Sequence, residues 1–165
     1  WRVCRRILGR RTIMSNWYRK VSQNMGEIVS AISFYEREID AARFECGMKG
    51  VLEKHSREMP GIVEHRFNQL QEVEAILEHL NTEMRKLRSQ TFRKFLENYN
   101  KALSSRDAEK YVDGEQDVVD LHYLINDFSL IRNKYIGIIK ALEAKGFQIN
   151  NVVKLRAAGL EDISL

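Results

Sequence analysis

Seven apolar residues, Leu121, Leu124, Phe128, Ile131, Tyr135, Ile138 and Leu142, follow one another at alternating steps of three and four. Only an α-helix gathers such residues on one side, and a side that long has to be covered by other helices. Val118, Ile125 and Ile139 flank the seam and widen it beyond the need of a two-stranded coiled coil, so several helical neighbours are expected. The pattern predicts a stop at Lys145-Gly146-Phe147, with Gly146 left-handed and Phe147 folded back onto Leu142 in a Schellman arrangement. Asn150 or Asn151 is then expected to cap a short helix from Val152 to Ala158. Gly159 and Leu160 repeat the stop, with Leu155 in the C3 place.

The same periodicity organises the rest of the chain. Val21, Met25, Ile28, Ile32, Tyr35, Ile39, Ala42 and Cys46 predict a first helix from Asn16, capped by Ser15 or Asn16. Gly47 and Gly50 weaken it, and Met59-Pro60-Gly61 is expected to stop it, because the residue before a proline avoids the helical region. A second helix is predicted from about Gly61 to Leu103. Its seam is Val63, Phe67, Leu70, Val73, Leu77, Leu80, Met84 and Leu87, then Phe92, Leu96, Tyr99 and Leu103. The seam slips at Thr91 and Phe92, which predicts a change of packing partner there. Ser104-Ser105-Arg106-Asp107 reads as the following turn. Strands have little support, since no run of alternating β-branched residues occurs. The expected fold is therefore all-α, with long heptad-patterned helices forming a helical bundle or a coiled-coil homo-oligomer.

A single proline and nine glycines, with 44% apolar and 30% charged residues, fit such a helical fold and argue against disorder. No apolar run approaches the roughly 20 residues of a membrane span, so no membrane association is expected. Cys4 and Cys46 make no disulfide framework, which fits a reducing cytoplasm.

The net charge of +4 is concentrated at the start, where residues 1–13 carry Arg2, Arg5, Arg6, Arg10 and Arg11 without an acid. The remainder holds 22 basic and 23 acidic residues, a balance of −1. Trp1 opens the chain, and Met14-Ser15-Asn16 reads as an ordinary start. Residues 1–13 are accordingly expected to be an upstream extension, the alternative being a basic arm that grips phosphate. Residues 14–165 are expected to form a single helical domain.

Within that domain charge alternates in blocks. Residues 61–84 hold five acids and the single base Arg66, and residues 107–127 hold seven acids against Lys110. Between them lie Arg85, Lys86, Arg88, Arg93, Lys94 and Lys101, opposed by Glu97 alone, with Phe92, Phe95 and Tyr99 interleaved. Clustered cations neutralise phosphates and exposed aromatics stack unpaired bases, so this stretch is a candidate single-strand track. The competing reading is a solvated basic helix face whose aromatics belong to the core.

Several segments also share an order with a known family. Tyr111-Val112-Asp113-Gly114-Glu115-Gln116-Asp117-Val118, the long seam, Lys145-Gly146-Phe147-Gln148-Ile149-Asn150-Asn151 and Arg156-Ala157-Ala158-Gly159 resemble the C-terminal half of the UvsY family of phage recombination mediators. The likeness covers roughly residues 84–160. In that family a basic-aromatic motif of the form K-x-R-L-D-Y-Y is implicated in gripping single-stranded DNA. The corresponding stretch is Arg93-Lys94-Phe95-Leu96-Glu97-Asn98-Tyr99, with Phe95 standing where the family has its second base and Asn98 in place of its first tyrosine.

The resemblance implies single-stranded-DNA binding through this motif, and together with the charge pattern it makes Arg85, Lys86, Arg88, Arg93, Lys94, Tyr99 and Lys101 the candidate contacts. It further implies a ring-like homo-oligomer that loads a RecA-like recombinase onto strands covered by single-strand-binding protein, in the cytoplasm of an infected bacterium. The rival expectation is a structural coiled-coil protein of a virion or scaffold. Neither reading involves catalysis or a cofactor. His55, His65, His79 and His122 have no metal spacing with each other or with the cysteines, and no nucleophile elbow or phosphate-binding glycine loop is present.

Overall fold

The computed structural model describes residues 16–98 and 104–159. After a first helix, α1 (Trp17–Gln23), a 3₁₀ turn over Met25–Glu27 leads into α2 (Ile28–Glu45). Two long helices follow, α3 (Leu52–Asn98) and α5 (Gln116–Ala157), with the short α4 (Ser105–Asp113) between them. Among the described residues there is no strand, and the chain is an all-α bundle.

α3 spans about 70 Å and α5 about 63 Å at the usual helical rise. They lie antiparallel, since Met84 packs near Val118 at one end while Met59 and Pro60 face Ile149 at the other. α2 lies alongside them. Tyr35 meets Phe128 and Tyr135 edge-on, with ring centroids 6.4 and 6.1 Å apart, and all three residues are fully buried. From Val21 to Ala42 and from Phe128 to Leu142 the expected seams are the observed core.

α3 changes partners along its length. Leu70, Val73, Ile76, Leu77 and Leu80 join the main core, whereas Met84, Leu87, Phe92 and Phe95 pack with Val112 and Val118. The change therefore falls between Leu80 and Met84, earlier than the slip at Thr91 predicts.

Four predicted boundaries are corrected. The first helix is broken at Asn24, whose extended backbone starts the 3₁₀ turn and whose side-chain oxygen accepts from Gly26 N at 3.0 Å. Asn16 stands at the N-cap of α1 without a side-chain cap bond.

The helix stop expected at Met59-Pro60-Gly61 lies instead in the Gly47–Gly50 connection, where Gly50 takes a φ of 111° that other residues avoid. Pro60 sits inside α3. An interior proline costs about 3 kcal/mol, but Met59, Ile62 and Val63 around it pack on the main core, and their burial offsets that cost.

Ser104 begins α4 rather than forming a simple turn. Its hydroxyl accepts from Asp107 N at 3.2 Å as a helix cap.

Helix α5 does not stop at Gly146. No positive φ occurs there, Phe147 is 70% exposed, and Asn150 and Asn151 lie within the helix instead of capping a new one. Leu142 is already fully buried in the core and so does not receive Phe147, while Lys145 and Ile149 are both buried and carry the seam onward. The predicted stop at Gly159 is observed: its φ is 70° and its N–H donates to the Arg156 carbonyl at 3.0 Å.

Candidate nucleic-acid interface

Cations in the basic stretch are positioned by α3, and five of the seven predicted contact residues fall within the described chain. Tyr99 and Lys101 lie outside it. At 3.6 residues per turn, Arg85 and Arg88 occupy one flank of α3, Lys86 and Arg93 its outward side, and Lys94 the opposite flank. Charge therefore winds around the helix instead of forming one straight row.

Three of the five cations are held by the chain's own acids. Arg85 Nη2 lies 2.9 Å from Glu78 Oε1 and donates to Thr82 Oγ1 at 3.2 Å. Lys86 Nζ donates to Glu83 Oε1 at 2.6 Å, which holds the Glu83 carboxyl below its ordinary range. Arg88 Nη1 reaches Asp113 Oδ1 on α4 at 2.7 Å. All three pairs are largely solvated and contribute little to stability. Arg93 and Lys94 are exposed and form no ion pair among the described residues.

The two interleaved aromatics within the described residues, Phe92 and Phe95, pack instead of offering free rings. Phe92 and Phe95 are half-buried against Met84, Val112 and Val118, and Phe95 lies 5.8 Å from the Tyr111 ring. Fixed in this way, they brace α4 against α3. Exposed rings stand elsewhere, notably Tyr123 on α5, which lines a groove with Arg88 and His122.

Two buried polar sites were not expected from the sequence. The lone base of the acidic window, Arg66, is 3% exposed at a seam position where Phe67 was expected; Phe67 is half exposed. Arg66 forks onto Glu45 through Nε and Nη2, at 2.8 and 2.6 Å, and donates through Nη1 to Glu38 and Gln69, both at 2.7 Å. Burial pushes the Glu38 carboxyl up, but hydrogen bonds from Gln69 and Arg66 and the guanidinium charge outweigh it and leave Glu38 below its ordinary value. Burial likewise disfavours the Arg66 charge, and the bonds to Glu45 and Glu38 more than restore it. Lys145, 5% exposed, is the second site: its Nζ donates to the Glu45 carbonyl and contacts His55 Nδ1. A solitary base among acids was the only signal for the first, and nothing in the pattern marked the second.

Burial, and then the charge of Glu45, push the Cys46 thiol up, which suits an inert residue rather than a nucleophile. Among the described residues no three His, Cys, Asp or Glu side chains are grouped to hold a metal ion, and no helix is long and apolar enough to cross a membrane. Scans of the chain against protein-family models, curated proteins and solved structures returned no match.

Proposed function

We propose that this protein is a recombination mediator that binds single-stranded DNA and promotes loading of a RecA-like recombinase onto strands covered by single-strand-binding protein. The observation that carries the DNA-binding half is the pair Arg93 and Lys94, exposed and without an ion-pair partner among the described residues, inside the motif that resembles the family's. Two such cations give a weak contact. A homo-oligomer, ring-like as in the resembling family, would repeat that contact on one looped strand and gain affinity through effective concentration. The recombinase, the single-strand-binding protein and the cytoplasm of an infected bacterium enter this proposal through the resemblance.

A second reading, a structural coiled-coil protein without DNA affinity, is favoured by one observation: Arg85, Lys86 and Arg88 are already paired with Glu78, Glu83 and Asp113. A filter-binding assay with an oligothymidylate separates the two. Mediator function requires retention of the strand at low salt that declines steeply as salt rises. A structural protein retains no strand at any salt.

A further inference from the structure

Phosphate contacts alone leave the bases of a bound strand in water, and aromatic rings are what usually hold them. Phe92 and Phe95, the described aromatics inside the basic stretch, are committed to packing. Tyr123 on α5 is not: it is 63% exposed and lines a groove of about 340 Å³ between α3, the end of α4 and the start of α5. Met84, Val118 and Val119 make the groove's apolar lining, and Arg88 and His122 supply polar groups. Its volume is at the lower end of the roughly 300–1,000 Å³ typical of small-ligand sites, which suits one flat ring system.

The ion pair of Arg88 with Asp113, 2.7 Å apart, also lines this groove. It discriminates between the two parts of a nucleotide. The Asp113 carboxylate repels a phosphate, whereas the edge of a base carries donors and acceptors side by side. Such an edge can engage Asp113 and Arg88 together while each keeps its countercharge.

We propose that this groove seats one unpaired nucleobase, stacked on Tyr123 with its hydrogen-bonding edge against Arg88 and Asp113. The assignment rests on the reading of Arg93 and Lys94 as phosphate contacts and adds to it the place where a base is held.

Fluorescence anisotropy tests it with two labelled strands of equal length and charge: an oligothymidylate, and a deoxyribose-phosphate strand that carries no bases. The wild-type chain is expected to bind the base-bearing strand roughly five- to a hundredfold more tightly, the range one base–aromatic stack supplies. Tyr123→Ala should remove that difference and Tyr123→Phe should keep it. Both variants should leave the salt dependence unchanged, since no phosphate contact is lost. The exposure of Tyr123 makes unfolding of either variant unexpected, and circular dichroism checks this. Equal affinity of the wild type for the two strands, or a difference that survives in Tyr123→Ala, overturns the groove assignment while strand binding itself persists. Failure to bind either strand overturns the groove and the phosphate reading together.

Discussion

Lys145 Nζ donates to the backbone carbonyl of Glu45 at 2.7 Å, joining residues a hundred positions apart in the chain. The carbonyl belongs to the last turn of α2, where the helix dipole is negative, so the buried ammonium satisfies an orphan acceptor and complements the dipole at once. The same Nζ lies 3.2 Å from His55 Nδ1, and His55 Nε2 lies 2.9 Å from the Lys49 carbonyl. With Lys145 as the donor to Nδ1, the proton of a neutral His55 sits on Nε2 and points at Lys49. One side chain of α5 thereby fixes the connection between α2 and α3.

Lys145→Met should therefore destabilise the bundle by about 1–2 kcal/mol, because it leaves the Glu45 carbonyl and His55 Nδ1 without their donor at a partly buried place. Urea denaturation measures this. A midpoint equal to the wild type's would mean that the contact is not maintained in solution.

Arg66→Met should cost more, about 3 kcal/mol. It strands two carboxylates, although Glu38 and Glu45 keep side-chain exposures of 30% and 28% and so retain part of their hydration. Glu38 also gives this network a pH dependence with a defined sign. Its folded pKa lies below the ordinary 4.5, so its contribution is complete above that value and is lost as pH falls through the folded value. Glu38→Gln should flatten the acid limb of a stability–pH curve below about pH 4.5 and leave its neutral region parallel to the wild type's. An acid limb unchanged by the substitution would place the acid sensitivity elsewhere.

Gly146→Ala should stabilise the protein. Gly146 lies inside α5 without a positive φ, and an added Cβ meets nothing within 4 Å. The gain expected from helix propensity is about 0.5–1 kcal/mol. Phe147→Ala, at a residue 70% exposed, should change stability by less than about 0.5 kcal/mol. Thermal melts distinguish this from a helix stop at Gly146, for which both substitutions would be destabilising.

What the sequence made legible were the seams whose period runs without interruption. Tyr35, Ile39, Phe128, Ile131, Tyr135 and Leu142 are core residues as their spacing predicts. Helix ends were harder to read, because Pro60 and Gly146 are local breakers whose effect is overruled by apolar and polar burial on either side of them. Phe67 was misplaced on the seam for a related reason: apolar periodicity favours it over Arg66, while the decisive interaction comes to Arg66 from Glu38 and Glu45 on another helix. At the candidate interface the cations were visible as charge, and Glu78 and Glu83 lie within two turns of their partners. The pairing of Arg88 with Asp113 and the approach of Tyr123 and His122 depend on how α4 and α5 return to α3.

The most direct test of the DNA-binding proposal is a salt titration of oligothymidylate binding by the chain carrying Arg93→Ala and Lys94→Ala. Both side chains are exposed, so helix content and thermal midpoint should stay close to the wild type's. Loss of two phosphate contacts should weaken binding at low salt and reduce the slope of log affinity against log salt by about 1.4, at about 0.7 for each single-strand contact. An unchanged affinity and slope would contradict the account. If deletion of residues 1–13 abolished binding at the same time, the phosphate contact would belong to Arg2, Arg5, Arg6, Arg10 and Arg11.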